Sequence, residues 1–331
     1  MCTQEEDIGI SEQSHIGLSR DLAQQGKLAE AVLAARSAVE LDPQNAPLRG
    51  FLGTLLLRTR DLAGAEQEQL AAIELDPNSA VFHDTLARAL GLLGRTDEAI
   101  SAIRQAVALD AGNAVFRGLL GTLLMRQGDP PGAEQELRSA IEIAPNFVQF
   151  YVELTQSIVA QGRIDEAILT VRQAIALDAG NGQARRLLGE LLMRNDALEE
   201  AEQEIRAAIA ANPEMAPPYM TLSHVLSRQG RLEDAIAAAR HATEFAPSDA
   251  TFRRRLDALL AERENAAAMA QNADVLDLAE ATPPHPAQSV APPAAAEPAP
   301  ARPPQVAPPV ARVPKPQPKS GWRFPFGGKR R

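Results

Sequence analysis

The 331-residue chain has one cysteine, one tryptophan, two tyrosines and nine phenylalanines, so that aromatics make up only 4% of it. Each scarcity excludes something. Cys2 stands alone in the polar start Met1 to Asp7, so no disulfide framework or cysteine metal site can form within one chain. With so few aromatics, the 45% hydrophobic content is largely alanine and leucine, which suits close packing of helices more than a β sandwich. No run of about 18 apolar residues occurs, and no stretch resembles a signal peptide, so the expectation is a cytoplasmic protein without a spanning helix. Residues for catalysis are also lacking. His15, His83, His224, His241 and His285 are scattered without metal-ligand spacing, and no GxSxG, Walker or dinucleotide glycine pattern is present. The chain is therefore not expected to be an enzyme or to carry a cofactor or metal.

Charge is unevenly spread. The formal net charge is −10, yet residues 282–331 hold eight Lys or Arg against the single Glu297, so they contribute +7 and leave −17 for residues 1–281. Such an acidic body is not expected to bind nucleic acid.

What the chain does have is a period. Asp42, Asp76, Asp110, Ala144, Asp178, Asn212 and Ala246 fall 34 residues apart, and five of them precede a proline. A repeat of this length means stacked supersecondary units and no single closed core. Each unit reads as two amphipathic helices with a break between them. In the first unit Ile16, Leu18 and Leu22 lie on one helix and Leu28, Ala31, Val32, Ala35 and Val39 on the next. Small residues recur on the first helices (Gly53, Ala87, Gly121, Thr155, Gly189, Ser223) and alanines on the second (Ala31, Ala65, Ala99, Ala133, Ala167, Ala201, Ala235), where two helices must approach closely. Leucines at Leu18, Leu52, Leu86, Leu120, Leu154, Leu188 and Leu222 fill the space between. Gly26, Gly94, Gly128, Gly162 and Gly230 sit at the breaks and suit a left-handed helix end.

The pattern closely resembles the tetratricopeptide repeat family over about three quarters of the chain. The resemblance implies an all-α, right-handed α-solenoid of antiparallel helix pairs. Seven repeats are expected at 12–45, 46–79, 80–113, 114–147, 148–181, 182–215 and 216–249, between a disordered 1–11 and a capping helix at 250–281. Ala111 and Ala179 replace the family's closing proline, and Arg49, Arg117 and Arg185 stand where it often has an aromatic. These departures recur at 68 residues: 46–79 and 114–147 share 20 identities, whereas 80–113 and 114–147 share 9. Three double units, 46–113, 114–181 and 182–249, thus follow one lone hairpin.

Function in this family lies in binding. By position, the resemblance places Arg20, Phe51, Thr54, Arg58, Arg88, Thr122, Arg126, Glu153, Gln156, Glu190, Arg194, His224 and Arg228 in a groove lined by first helices, open to a protein or peptide partner. Arg58, Arg126 and Arg194 repeat every 68 residues, as do Arg49, Arg117, Arg185 and Arg253, and guanidinium forks favour acidic partners. The competing reading pairs these arginines with Glu66, Glu68, Glu134, Glu136, Glu202 and Glu204 of the second helices. Gly50, Phe51, Asp84, Thr85 and Arg88 do not supply the carboxylate clamp of chaperone-binding members, and the asparagine ladder of the O-linked N-acetylglucosamine transferase superhelix is missing.

From Thr282 onward fifteen prolines in fifty residues give a disordered, Pro-rich spacer. It ends in a basic–aromatic motif: Trp322, Arg323, Phe324, Phe326, Lys329, Arg330 and Arg331. That end admits three readings: a docking motif for a second protein, a peripheral contact with anionic membrane, or an inert solubilising end. The functional expectation is a non-catalytic interaction scaffold. The alternative is an accessory subunit of a membrane-associated assembly, in envelope polysaccharide synthesis or secretion, localised by that end.

Overall fold

The computed structural model describes residues 15–280, with side chains through Gln271. The chain divides into two units, one up to Asp274 and one from Val275. The expectations for residues 1–11, for the Pro-rich segment and for Trp322, Arg323, Phe324, Phe326, Lys329, Arg330 and Arg331 lie outside the described residues.

Among those residues every regular element is an α-helix. A helix α1 covers 15–24, followed by α2 (Leu28–Leu41), α3 (Ala46–Arg58), α4 (Leu62–Leu75), α5 (Ala80–Leu92), α6 (Thr96–Leu109), α7 (Ala114–Gln127) and α8 (Pro130–Ile143). Then come α9 (Val148–Ala160), α10 (Ile164–Leu177), α11 (Gly182–Arg194), α12 (Leu198–Ala211), α13 (Ala216–Arg228), α14 (Leu232–Phe245) and α15 (Ala250–Glu280). Odd-numbered helices up to α13 open a hairpin and even-numbered ones close it, which makes an α-solenoid of packed helix pairs. Sequential helices pack on each other, and α3 with α5, α7 with α9 and α11 with α13 also touch.

Local chemistry sets the boundaries. Asn45, Asn113 and Asn181 cap α3, α7 and α11 by accepting a backbone N–H from Leu48, Phe116 and Ala184. Asp61 and Asp129 do the same for Gly64 and Gly132, both at 3.0 Å. The break after each first helix needs a left-handed residue, and Gly26, Gly94, Gly128, Gly162 and Gly230 all have φ between 76° and 89°. Arg60 (φ 66°) and Asp196 (φ 62°) hold the same place in the two repeats without glycine.

The core runs along the stack. One cluster extends from Leu86 to Val225, with smaller ones at the amino-terminal and carboxy-terminal ends. The seven recurrent alanines are all fully buried. So are the small residues opposite them, and the geometry shows why. A Cβ on Gly121 would lie 2.7 Å from Cγ of Leu137, and one on Gly189 2.5 Å from Ile205. Six of the seven recurrent leucines are buried, but Leu18 is 51% exposed. The leucine at that place packs against the preceding hairpin, and no described residue precedes α1; Ile16 and Leu22 face the core instead.

Gln69 departs from the pattern. It is fully buried where the next two units have Leu137 and Ile205. Its Nε2 donates to the carbonyl of Gly50 (2.8 Å), but Oε1 has no partner among the described residues. Gly50 O also accepts the hydroxyl of Thr54 (2.9 Å). Replacing Gln69 by leucine therefore removes an unsatisfied buried oxygen without orphaning the carbonyl. Stability is expected to rise by about 1 kcal/mol, seen as a melting temperature higher by roughly 2–4 °C in a circular-dichroism melt. A lower melting temperature would contradict it.

Candidate functional site

The two arginine series separate. Arg49, Arg117 and Arg185 hold the stack together: each Nε donates to the carbonyl six residues back, in Pro43 (2.8 Å), Ala111 (3.2 Å) and Ala179 (2.8 Å). Each Nη1 meets a second-helix carboxylate, Glu68 (2.9 Å), Glu136 (3.0 Å) or Glu204 (2.6 Å). In the alternate repeats that carbonyl is taken by His83 Nε2 and by the hydroxyls of Tyr151 and Tyr219, at 2.9–3.0 Å. One joint between repeats is thus closed by either residue type. Glu66, Glu134 and Glu202 pair with a different set, Arg95, Arg163 and Arg231.

Arg58, Arg126 and Arg194 behave otherwise. They sit exposed in the last turns of α3, α7 and α11, with no ion-pair partner among the described residues. The rest of the expected groove set is mixed. Arg20 lies with its guanidinium carbon 5.8 Å from the ring centroid of Phe51. Arg88 forks onto both oxygens of Asp84 at 3.0 and 2.9 Å. Glu153 accepts from Thr122 Oγ1 and Gln149 Nε2, both 3.0 Å, and burial raises its pKa although those bonds pull it back. Glu190 pairs with Arg186 and accepts from Thr221 Oγ1 at 3.2 Å. Arg228 reaches Met193 O and Asp196, the latter at 2.8 Å. His224 is half-buried, and its pKa is lowered by burial and by Arg255 nearby.

Along the first-helix face the character therefore changes. From α11 onward the charges largely answer one another, through Arg186 with Glu190 and Arg228 with Asp196. Between α3 and α9 the same face opens into hollows with a largely apolar lining. A cavity of about 340 Å³ is lined by Leu57, Ala87, Arg88, Gly91, Leu92, Leu119, Thr122, Leu123 and Arg126. A smaller one of about 170 Å³ shares Arg88, Leu119 and Thr122 and adds Val115, Gly118, Phe147, Phe150, Gln149 and Glu153. Phe150 packs on Gly118, where a Cβ would come within 2.4 Å of the ring. Of the expected groove residues, Arg88, Thr122, Arg126 and Glu153 are brought together here. The other nine, Arg20, Phe51, Thr54, Arg58, Gln156, Glu190, Arg194, His224 and Arg228, line neither cavity.

Sequence reading did not single out Leu57, Gly91, Leu92 and Leu119, the apolar lining. The second-helix side also carries a recurrent cleft, of about 460 Å³ around Leu70 and His83. At the same place in the next two units Arg138 with Tyr151, and Arg206 with Tyr219, leave clefts of about 220 and 240 Å³. Among the described residues no group of three or more His, Cys, Asp or Glu is placed to hold a metal ion.

A search of curated proteins gives no match to the chain. Among solved structures, a tetratricopeptide repeat protein from Parabacteroides merdae aligns with TM-score 0.63 and 17% identity over 76% of this chain and 99% of its own. PilF of Pseudomonas aeruginosa aligns with TM-score 0.56 and 18% identity over 66% of this chain and 97% of its own. PilW, described as a type IV pilus biogenesis factor, gives 0.58 and 16% over 65% and 98%. At these identities the likeness is one of fold. Family models described as tetratricopeptide repeat match residues 16–80, 92–151, 156–216 and 216–249. With these matches laid over stacked helix hairpins, the chain belongs to the tetratricopeptide repeat family.

Proposed function

We propose that the protein is a non-catalytic scaffold for protein–protein interaction that holds a partner protein or peptide against its first helices. A second partner is recruited or tethered by the basic–aromatic carboxy-terminal end. The observation that carries the first part is the state of Arg58, Arg126 and Arg194: three exposed guanidiniums without an ion-pair partner among the described residues, on a body whose net charge is −17. Arg49, Arg117 and Arg185 are engaged in joints between repeats, whereas these three, on the same first helices, are available to a partner bearing carboxylates.

The experiment is affinity capture from native cells with the full chain. Reversing all three guanidiniums (Arg58→Glu, Arg126→Glu, Arg194→Glu) is expected to remove the partners of the first-helix face by at least tenfold in recovered amount. Trp322→Ala with Phe324→Ala is expected to remove a different set. Unchanged capture by the triple variant would refute the groove. The reading as a membrane-associated accessory subunit is separated by sedimenting the same proteins with anionic vesicles, since it requires the Trp322/Phe324 variant to lose lipid binding.

A further inference from the structure

Gly91 is not required by its backbone. It lies inside α5 with a helical φ, unlike Gly94 three residues later at +80°. A helical glycine costs about 1 kcal/mol relative to alanine, so its presence asks for another explanation. At the same place the other first helices carry Leu57, Met125, Val159, Met193, Ser227 and, on α1, Ala23. The first four of these are partly buried. Among the described first helices only α5 carries no side chain there; Leu123 packs close to the bare backbone, and beside it the cavity of about 340 Å³ opens. A Cβ on Gly91 would meet Leu123 Cδ2 at 3.2 Å and Arg126 Nη1 at 3.8 Å, so the missing side chain and the free guanidinium border one hollow.

The flanks are as particular as the floor. One residue after Gly91, Leu92 is 49% exposed on the cavity rim. The equivalent residue on the helices to either side is Arg58 on α3 and Arg126 on α7, both without an ion-pair partner among the described residues. Read across three successive first helices, this row is arginine, leucine, arginine above an apolar hollow. The volume lies at the low end of the roughly 300–1,000 Å³ typical of ligand pockets, which suits one large side chain.

The geometry points to an anchor site: the hollow under Gly91 takes one bulky apolar side chain of a partner segment, with carboxylates on both sides of that residue meeting Arg58 and Arg126. The inference rests on the groove reading above and narrows it to α3–α7. Ligand contacts are then centred on one unit and do not recur equally in all three.

The test uses the full chain and fluorescein-labelled twelve-residue peptides followed by anisotropy. Their acidic flanks are Asp and Glu, and the central residue is Trp, Leu or Ala; a lysine-flanked Trp peptide is the charge control. The Trp and Leu peptides are expected to bind at least about tenfold tighter than the equally charged Ala peptide, the ratio that burying one large apolar side chain supports. The lysine peptide should not bind. Gly91→Met, which restores the residue of Met125 and Met193, is expected to abolish the preference for Trp over Ala while the thermal melt shows the fold kept. Should that variant fold poorly, Arg126→Glu in the same assay must still weaken the acidic peptides by at least tenfold. Equal binding of the Trp and Ala peptides overturns the anchor. Loss in an Arg58→Glu/Arg126→Glu variant with none in a folded Gly91→Met overturns it too, and leaves the groove reading standing. Self-association that Gly91→Met abolishes, measured by sedimentation velocity, would reassign the hollow to a second copy and overturn the peptide assignment.

Discussion

Replacing Leu137 by alanine is expected to cost about 3 kcal/mol, the middle of the range for removing a fully buried leucine. Leu137 lies on α8, in the cluster that runs from Leu86 to Val225, and is completely shielded from solvent. Its Cγ occupies the spot facing the bare backbone of Gly121, between the two helices of one hairpin. Truncation leaves a void that neither neighbour fills, since Gly121 has no side chain and Ala133 only a methyl group. The glycine makes a second, coupled expectation possible. Gly121→Ala alone forces a Cβ to 2.7 Å from Leu137 Cγ and is expected to cost about 1–3 kcal/mol through overpacking. In the Leu137→Ala background that clash is gone, so the double variant should be more stable than the sum of the singles by about 1 kcal/mol. Urea melts followed by circular dichroism on the four proteins of the cycle give the answer. Simple additivity would show that the two sites do not share the space the structure assigns them. Because repeats contact only their neighbours, the loss should also appear as early unfolding near α7 and α8 in hydrogen exchange.

Legibility in the sequence followed the range of the interaction. The hairpins, the buried alanines and the left-handed glycines are set by contacts within one 34-residue unit, and the period displays each of them seven or nearly seven times over. Arg60 and Asp196 show that the turn outranks its usual residue. Leu18 departs from its buried equivalents because burial at that place depends on a preceding hairpin, and no described residue precedes α1. The pairing of Arg49, Arg117 and Arg185 with Glu68, Glu136 and Glu204 is legible as the competing reading of their recurrence, but their second acceptor is not. Their acceptor carbonyl is six residues back on the far side of a turn, and its use by His83, Tyr151 and Tyr219 hides the equivalence behind unlike side chains. The hollow at Gly91 was the least legible, because it is made by an absence. Its signal was available only by comparing that residue with Leu57, Met125, Val159 and Met193, and its size depends on three helices together.

Lowering the pH below the ordinary carboxylate range should loosen the stack at its lateral carboxylates. Glu202 is nearly buried on α12 and gathers three partners: Gln229 Nε2 (3.0 Å), Arg231 Nη1 (2.8 Å) and Arg206 (2.5 Å). Glu134 on α8 repeats the arrangement with Gln161, Arg163 and Arg138 at 2.7–2.9 Å. Burial pushes both carboxyls up, but the hydrogen bonds from these partners outweigh it and hold both below the usual carboxylate range. A carboxyl depressed in the folded state contributes stability that is present above its unfolded pKa, about 4.3, and lost as pH falls through the folded value. Wild-type stability should therefore hold from neutral pH down to about pH 5 as far as these two groups are concerned, and decline below the unfolded pKa. Glu202→Gln removes the charge while keeping the shape, and leaves Arg206 and Arg231 without their shared carboxylate. At neutral pH it is expected to cost about 1–2 kcal/mol, a figure held down by the partial exposure of both arginines. The discriminating measurement is the difference between wild type and Glu202→Gln across the pH series. It should shrink towards zero as the pH falls through the folded-state pKa, below which the wild-type carboxyl is itself protonated. A difference that stays constant with pH would mean that Glu202 acts through shape alone. That outcome would remove the charge pairing with Arg231, and by equivalence that of Glu134 with Arg163, from the forces joining one repeat to the next.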